Sequence, residues 1–81
     1  MNIQLIQGRF SAKDALEIIT HMIHIKVKYH ESRINKASNE EEIKFRETKI
    51  KRLQKELFEF MNNIDGKTGN VKLDAIIQVD L

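Results

Sequence analysis

The chain has no cysteine, no proline and no tryptophan, and only three of its 81 residues are glycine. Without cysteine there is no disulfide, and without a Cys/His cluster there is no structural zinc, so two of the usual supports of a small domain are excluded. Long apolar runs are also missing. The longest apolar region, Leu16 to Val27, is interrupted by Glu17, Thr20, His21, His24 and Lys26, far from the roughly 18 apolar residues that indicate a membrane span. The opening Ile3 to Ile6 is too short and uncharged for a signal peptide. Neither sign of charge dominates: 14 Lys and Arg against 12 Asp and Glu leave a net charge of +2, a weak basis for expecting a polyanionic partner. These absences predict a soluble cytoplasmic protein with no membrane partner, and the lack of cysteine fits a reducing compartment. A single domain over residues 1–81 would bury only about 60 % of the surface its unfolded chain exposes. Oligomerisation is the remaining support.

What is present has two periods. Residues 2–7 carry Ile3, Leu5 and Ile6 in a polar frame and are followed by Gly8-Arg9, which predicts a short strand ending in a turn. Ser11 then suits a helix N-cap, with its hydroxyl accepting from the Asp14 N–H and the Asp14 carboxylate against the positive end of the helix dipole. No proline or glycine interrupts the following residues, so a helix is expected over 11–35, roughly 36 Å long. Leu16, Ile23, Val27 and Ile34 fall on one line of it, Ala12, Ala15 and Ile19 beside them, and Ile18, Met22, Ile25 and Tyr29 further round. The apolar arc is about 200° wide, about twice what one partner helix needs. Ser38-Asn39-Glu40-Glu41 is an S-x-x-E capping box that starts a second helix over 38–65. Its apolar residues Ile43, Ile50, Leu53, Leu57, Phe60 and Ile64 form a heptad seam. Glu40 with Lys44, Glu42 with Arg46 and Glu47 with Lys51 are spaced i to i+4 and describe a solvated face. Gly66 can take the left-handed conformation that ends the helix, and Gly69-Asn70 supplies a second turn. From Val71 to Leu81 apolar and polar residues alternate with period two, predicting a half-buried strand over 70–81.

The expected fold is therefore α+β in the order β-α-α-β, a long antiparallel helical hairpin packed on a two-stranded antiparallel sheet. The closing strand would extend roughly 36 Å and the first only about 20 Å. That mismatch leaves an apolar unpaired edge, and with the wide arc of the first helix it points to a homodimer with a four-stranded sheet. Ile18, Met22, Ile25 and Tyr29 on the first helix, with Val71, Leu73, Ile77 and Val79 on the closing strand, are the expected self-association surface. Ile76 is the one large apolar residue on the strand's polar face.

Few constellations carry chemistry. Glu17, His21 and His24 share the polar stripe of the first helix but lack the converging ligands of a helical metal site. His30 lies nearer the apolar side and reads as a structural or interface histidine. Gly66-Lys67-Thr68 copies the end of a phosphate-binding loop, but Met61 stands where the first glycine belongs and the turn joins a helix to a strand. No serine or cysteine has a legible base partner. No catalysis, metal or cofactor is expected. Lys44, Lys51 and Lys55 share a stripe of the second helix with Arg52 beside it, the best nucleic-acid candidate in the chain, although glutamates lie nearby and no aromatics interleave.

The opening order of short strand, turn, capped helix and second helix resembles the ribbon-helix-helix repressors, whose dimeric ribbon enters the DNA major groove. The similarity is one of topology. Both helices are about twice the length that family uses, the closing strand departs from its pattern, and the outward candidates Asn2, Gln4 and Ile6 provide one or two base readers. The expected function is a non-enzymatic homodimeric protein-interaction or scaffold module with an unidentified protein partner, the alternative being a small DNA- or RNA-binding regulator using Lys44, Lys51, Arg52 and Lys55.

Overall fold

A computed structural model describes residues 1–36, 39–66 and 69–81. Four elements follow one another: β1 (Asn2–Ser11), α1 (Ala12–Lys36), α2 (Glu40–Ile64) and β2 (Asn70–Gln78). β1 and β2 form a two-stranded antiparallel sheet, and the helices form the antiparallel hairpin expected from their periodicity. α1 packs on α2 and on both strands.

Local chemistry sets the boundaries. Ser11 ends β1 and caps α1, its Oγ accepting the Asp14 N–H at 3.1 Å. The cap of α2 is Asn39, whose Oδ1 accepts the Glu42 N–H at 2.8 Å, and Glu40, Glu41 and Glu42 fill the first turn. The cap expected at Ser38 lies outside the described residues, and the helix begins at Glu40. Asn39 is extended, with φ −137° and ψ 153°, so its short amide reaches the N–H of the third helical residue as a serine would. At the other end the Asp65 N–H donates to Met61 O at 3.0 Å, and Gly66 takes φ +74°, the left-handed residue that terminates a helix.

β1 differs from expectation. The turn read at Gly8-Arg9 is extended strand, with Gly8 opposite Leu73 and Arg9 opposite Lys72. Gly8 has φ +142°, a conformation open essentially to glycine, so the residue that reads as a breaker lets the strand continue. β1 therefore has 10 residues against 9 in β2, and the mismatch in strand length disappears. Asp80 and Leu81 lie beyond β2, although Met1 and Val79 add one more pair, the Val79 N–H donating to Met1 O at 2.8 Å and the Met1 amine to Val79 O at 2.7 Å. A Cβ at position 8 would meet nothing within 4 Å, so Gly8→Ala should destabilise through backbone strain alone, by about 1–3 kcal/mol. Urea unfolding with an unchanged m-value would measure it.

A bulge between Gln4 and Ile6 decides which face each β1 residue takes. Ile3 lies opposite Ile77, Gln4 opposite Ile76, and Ile6 opposite Ala75, so Leu5 is the extra residue that shifts the alternation. Val71, Leu73, Ala75 and Ile77 share one face of the regular strand β2. Their partners Phe10, Gly8, Ile6 and Ile3 share it with them. Ile6 is thus turned to the apolar side and half-buried, not outward beside Asn2 and Gln4. The Gln4 amide braces the bulge: its Nε2 donates to Ile6 O at 2.8 Å, Asp74 Oδ1 at 2.8 Å and Ala75 O at 3.2 Å.

The chain is a thin, spread shape of 47 × 33 × 13 Å with a radius of gyration of 15.3 Å, against about 12 Å for a compact domain of this length. The end of the ribbon next to Ser11 joins α1 and is its base, and the end at Met1 and Val79 is its tip. Among the described residues only Ala15, Val27 and Ile64 are buried apolar residues, and no large side chain is fully enclosed. The surface of 6674 Å² exceeds by about 1,600 Å² the roughly 5,050 Å² of a compact 9.5 kDa monomer.

Candidate functional site

The apolar face of the ribbon runs from Phe10 and Val71 at the base to Ile3 and Ile77 near the tip. Its cover fades along that length. Ile6, Phe10, Val71, Leu73 and Ala75 are half-buried, whereas Ile3 and Ile77 are 41 % and 43 % exposed. Val79 is half-buried beyond them. On α1 the same gradient appears: Ile18 and Met22 are half-buried, and Ile25 and Tyr29 are 70 % and 50 % exposed. The eight residues expected at a self-association surface therefore split into a partly covered group, Ile18, Met22, Val71, Leu73 and, at the tip, Val79, and an open group of Ile25, Tyr29 and Ile77. Ile76 is exposed on the opposite face of the ribbon. Phe45, Phe58 and Met61 add exposed apolar surface on α2.

The hairpin also contains a polar centre. His30 is 7 % exposed, and its Nδ1 lies 3.1 Å from Nη1 of Arg46 on α2. A guanidinium only donates, so Nδ1 is the acceptor and the imidazole proton sits on Nε2. Burial first, then the positive charges of Arg46, Lys26 and Lys49, push the His30 pKa below its ordinary 6.5, which keeps the ring neutral at pH 7 and able to accept. Arg46 also stands 3.9 Å from Glu42 Oε1 and 5.5 Å from the centroid of the Tyr29 ring, which Arg33 approaches at 5.4 Å. Arg33, by hydrogen bonding and then by its charge, lowers the Tyr29 phenol below 10.0, with burial opposing and Arg46 adding to the shift. His30 Nε2 and Arg46 Nε are buried with no partner among the described residues.

Sequence reasoning passed over Arg46, placing it with Glu42 on a solvated face. In the fold it faces the partner helix, because 43, 46, 50, 53, 57, 60 and 64 are one unbroken series of threes and fours. His30 fills the matching gap between Val27 and Ile34 on α1. One polar interruption in each apolar seam was the available signal.

A histidine whose folded pKa lies below its unfolded value binds fewer protons when folded, so stability is complete above about pH 6.5 and is lost as pH falls through that value. Urea midpoints measured from pH 8 down to pH 5 should decline, and the decline should flatten in His30→Gln.

The remaining candidates do not converge. Lys44, Lys51, Arg52 and Lys55 are exposed on α2, but Arg52 is committed to Glu56, with Nε 3.1 Å from Oε1. Glu42 with Arg46 and Arg52 with Glu56 are the ion pairs among the described residues, so the spacings Glu40–Lys44 and Glu47–Lys51 do not form pairs there. Glu17, His21 and His24 are exposed, and no three metal-ligating side chains cluster among the described residues. Lys67 and Thr68 of the loop-like tripeptide lie outside them. Among the described residues no helix is long and apolar enough to cross a membrane. Together these features define a β-α-α-β protein with a partly covered apolar ribbon and a buried His–Arg contact. Comparison with protein-family models, curated proteins and solved structures found no match.

Proposed function

We propose that the chain acts as a non-enzymatic homodimeric interaction or scaffold module, its first partner a second copy of itself. The observation that carries this is the apolar face of the ribbon, exposed at Ile3 and Ile77, together with the exposed Ile25 and Tyr29 of the α1 stripe. The excess surface is of the right size: about 1,600 Å² per chain corresponds to a total of roughly 3,200 Å², within the range of obligate homodimers. Strand length adds nothing to this reading, since β1 and β2 have 10 and 9 residues. The four-stranded sheet remains one way of covering Ile3 and Ile77. A mass in solution of about 19 kDa, twice the 9.5 kDa chain, is expected from light scattering at micromolar concentration, and a stable 9.5 kDa species would overturn the reading.

The second reading, a DNA- or RNA-binding regulator, is favoured by the exposure of Lys44, Lys51 and Lys55 without carboxylate partners among the described residues. It ranks lower because Arg52 is paired and, on the ribbon, Gln4 is spent on the bulge while Ile6 faces the apolar side. Retention on heparin that falls steeply with salt would raise it.

A further inference from the structure

We propose that two copies of the chain join edge to edge through β2, antiparallel about a two-fold axis at Ile76, into a four-stranded sheet of order β1-β2-β2-β1. This pairing presupposes the homodimer proposed above and gives it an edge and a register.

The sheet has two strands, so each has an outer edge with no strand beside it among the described residues. The two edges are not equivalent. β1 is interrupted by the bulge between Gln4 and Ile6 and by the positive φ of Gly8, and such irregularities break the even spacing of outward N–H and C=O groups that a new strand needs. β2 is regular throughout. Which of its groups point outward follows from Val79 and Met1, each of which donates to the carbonyl of the other. Inward and outward residues alternate along an antiparallel strand. The odd-numbered residues from Val71 to Val79 therefore turn their backbone groups to β1, and the even-numbered ones from Asn70 to Gln78 present theirs to the open edge. A regular row of unpaired edge groups is a template for another strand.

Side chains select the register. In a two-fold antiparallel pair one residue meets its own copy at the axis, and residues equally far to either side meet each other. An axis at Lys72, Asp74 or Ile77 sets like charges directly opposite, which is destabilising. An axis at Ala75 sets Ile76 against the partner's Asp74, and one at Leu73 leaves Ile77 to Val79 beyond the paired segment. An axis at Ile76 sets that residue against its copy, with Lys72 opposite the partner's Asp80 and Asp74 opposite the partner's Gln78 on the same face. On the other face Leu73 meets the partner's Val79, and Ala75 meets the partner's Ile77. Apolar residues then meet apolar ones, and opposite charges pair. Ile76 is 57 % exposed within one chain, the one large apolar residue on the polar face of β2, and the axis covers it. The same pairing lays the tip of each ribbon, where Ile77 is exposed, beside the base of the other.

The chain contains no cysteine, so single-cysteine variants of the full chain report such contacts directly. Copies of residue 76 on the axis would stand about 5.5 Å apart between Cα atoms, the spacing of a hydrogen-bonded antiparallel pair and within disulfide reach. Ile76→Cys is expected to oxidise to a linked dimer at micromolar concentration about a hundredfold faster than by random collision, since thiols held together share a roughly millimolar effective concentration. An equimolar mixture of Asp74→Cys and Gln78→Cys should link as the heterodimer. Neither should link alone, because its own copy lies about 13 Å further along the strand. Gln7→Cys on β1, three strand spacings or about 14 Å from its copy, should stay reduced. Linking at Gln7→Cys in place of Ile76→Cys would overturn the choice of edge, and linking of Asp74→Cys or Gln78→Cys alone would overturn the register. If light scattering gives about 19 kDa and Ile76→Cys does not link, this pairing fails and the homodimer stands. If it gives 9.5 kDa, the mass of one chain, both fail.

Discussion

Ile25→Glu is expected to convert the proposed dimer of about 19 kDa to a species of 9.5 kDa, the mass of one chain, or to unfold the protein at concentrations where the parent is folded. The size of this effect separates two views of the same residue. Within one chain Ile25 is 70 % exposed, and a polar substitution at such a helix position ordinarily changes stability by less than about 0.5 kcal/mol. In the proposed dimer the side chain would be covered, and a carboxylate placed there would lose its hydration without a partner, costing several kcal/mol. Ile77→Glu, on the ribbon, should act in the same direction. The melting temperature of the parent should rise with protein concentration, because association stabilises the folded state by mass action, and that dependence should vanish in Ile25→Glu. A folded dimer of Ile25→Glu would remove the α1 stripe from the interface.

Arg46→Met carries the second large effect. It leaves the buried Nδ1 of His30 without its donor, and a buried acceptor stripped of a charged partner costs about 2 kcal/mol. His30→Leu alone should destabilise for the complementary reason, since Arg46 is then a largely buried cation that keeps the distant Glu42 contact at 3.9 Å and the Tyr29 ring at 5.5 Å but loses its hydrogen-bond acceptor. The double variant His30→Leu/Arg46→Met replaces both groups by apolar ones and should recover most of the loss, as exchanges of buried polar pairs for hydrophobic residues often do. A coupling of about 1–3 kcal/mol between the two sites is the expected reading of the cycle. Additive losses would mean that the 3.1 Å contact contributes little to stability.

Much of the fold was legible because it depends on neighbours in sequence. Ser11 with Asp14, the acidic first turn of α2 and Gly66 act within three or four residues, so composition at those positions is enough to place a boundary. The two helical seams and the alternation of Val71, Leu73, Ala75 and Ile77 are periodic signals carried by many residues at once. Gly8 misled because glycine more often marks a turn than a strand residue with positive φ, and only its partner Leu73 settles which. Ile6 misled for a related reason: period two fails across a bulge, and the bulge exists because Gln4 can satisfy the carbonyls of Ile6 and Ala75 from both strands. Arg46 was hidden by an i to i+4 partner, Glu42, that offered a simpler reading.

The sequence alone determined the order strand, helix, helix, strand, the N-cap of α1 and the C-terminal end of α2, and the apolar stripes, since each follows from local hydrogen bonding or from periodicity along one element. The tertiary structure decided that β1 continues through Gly8 to match β2, that a bulge gathers Ile3, Ile6 and Phe10 onto one face, and that His30 meets Arg46 between the helices. Those outcomes depend on groups separated by 16 to about 70 positions, brought together only when the hairpin closes and the strands pair.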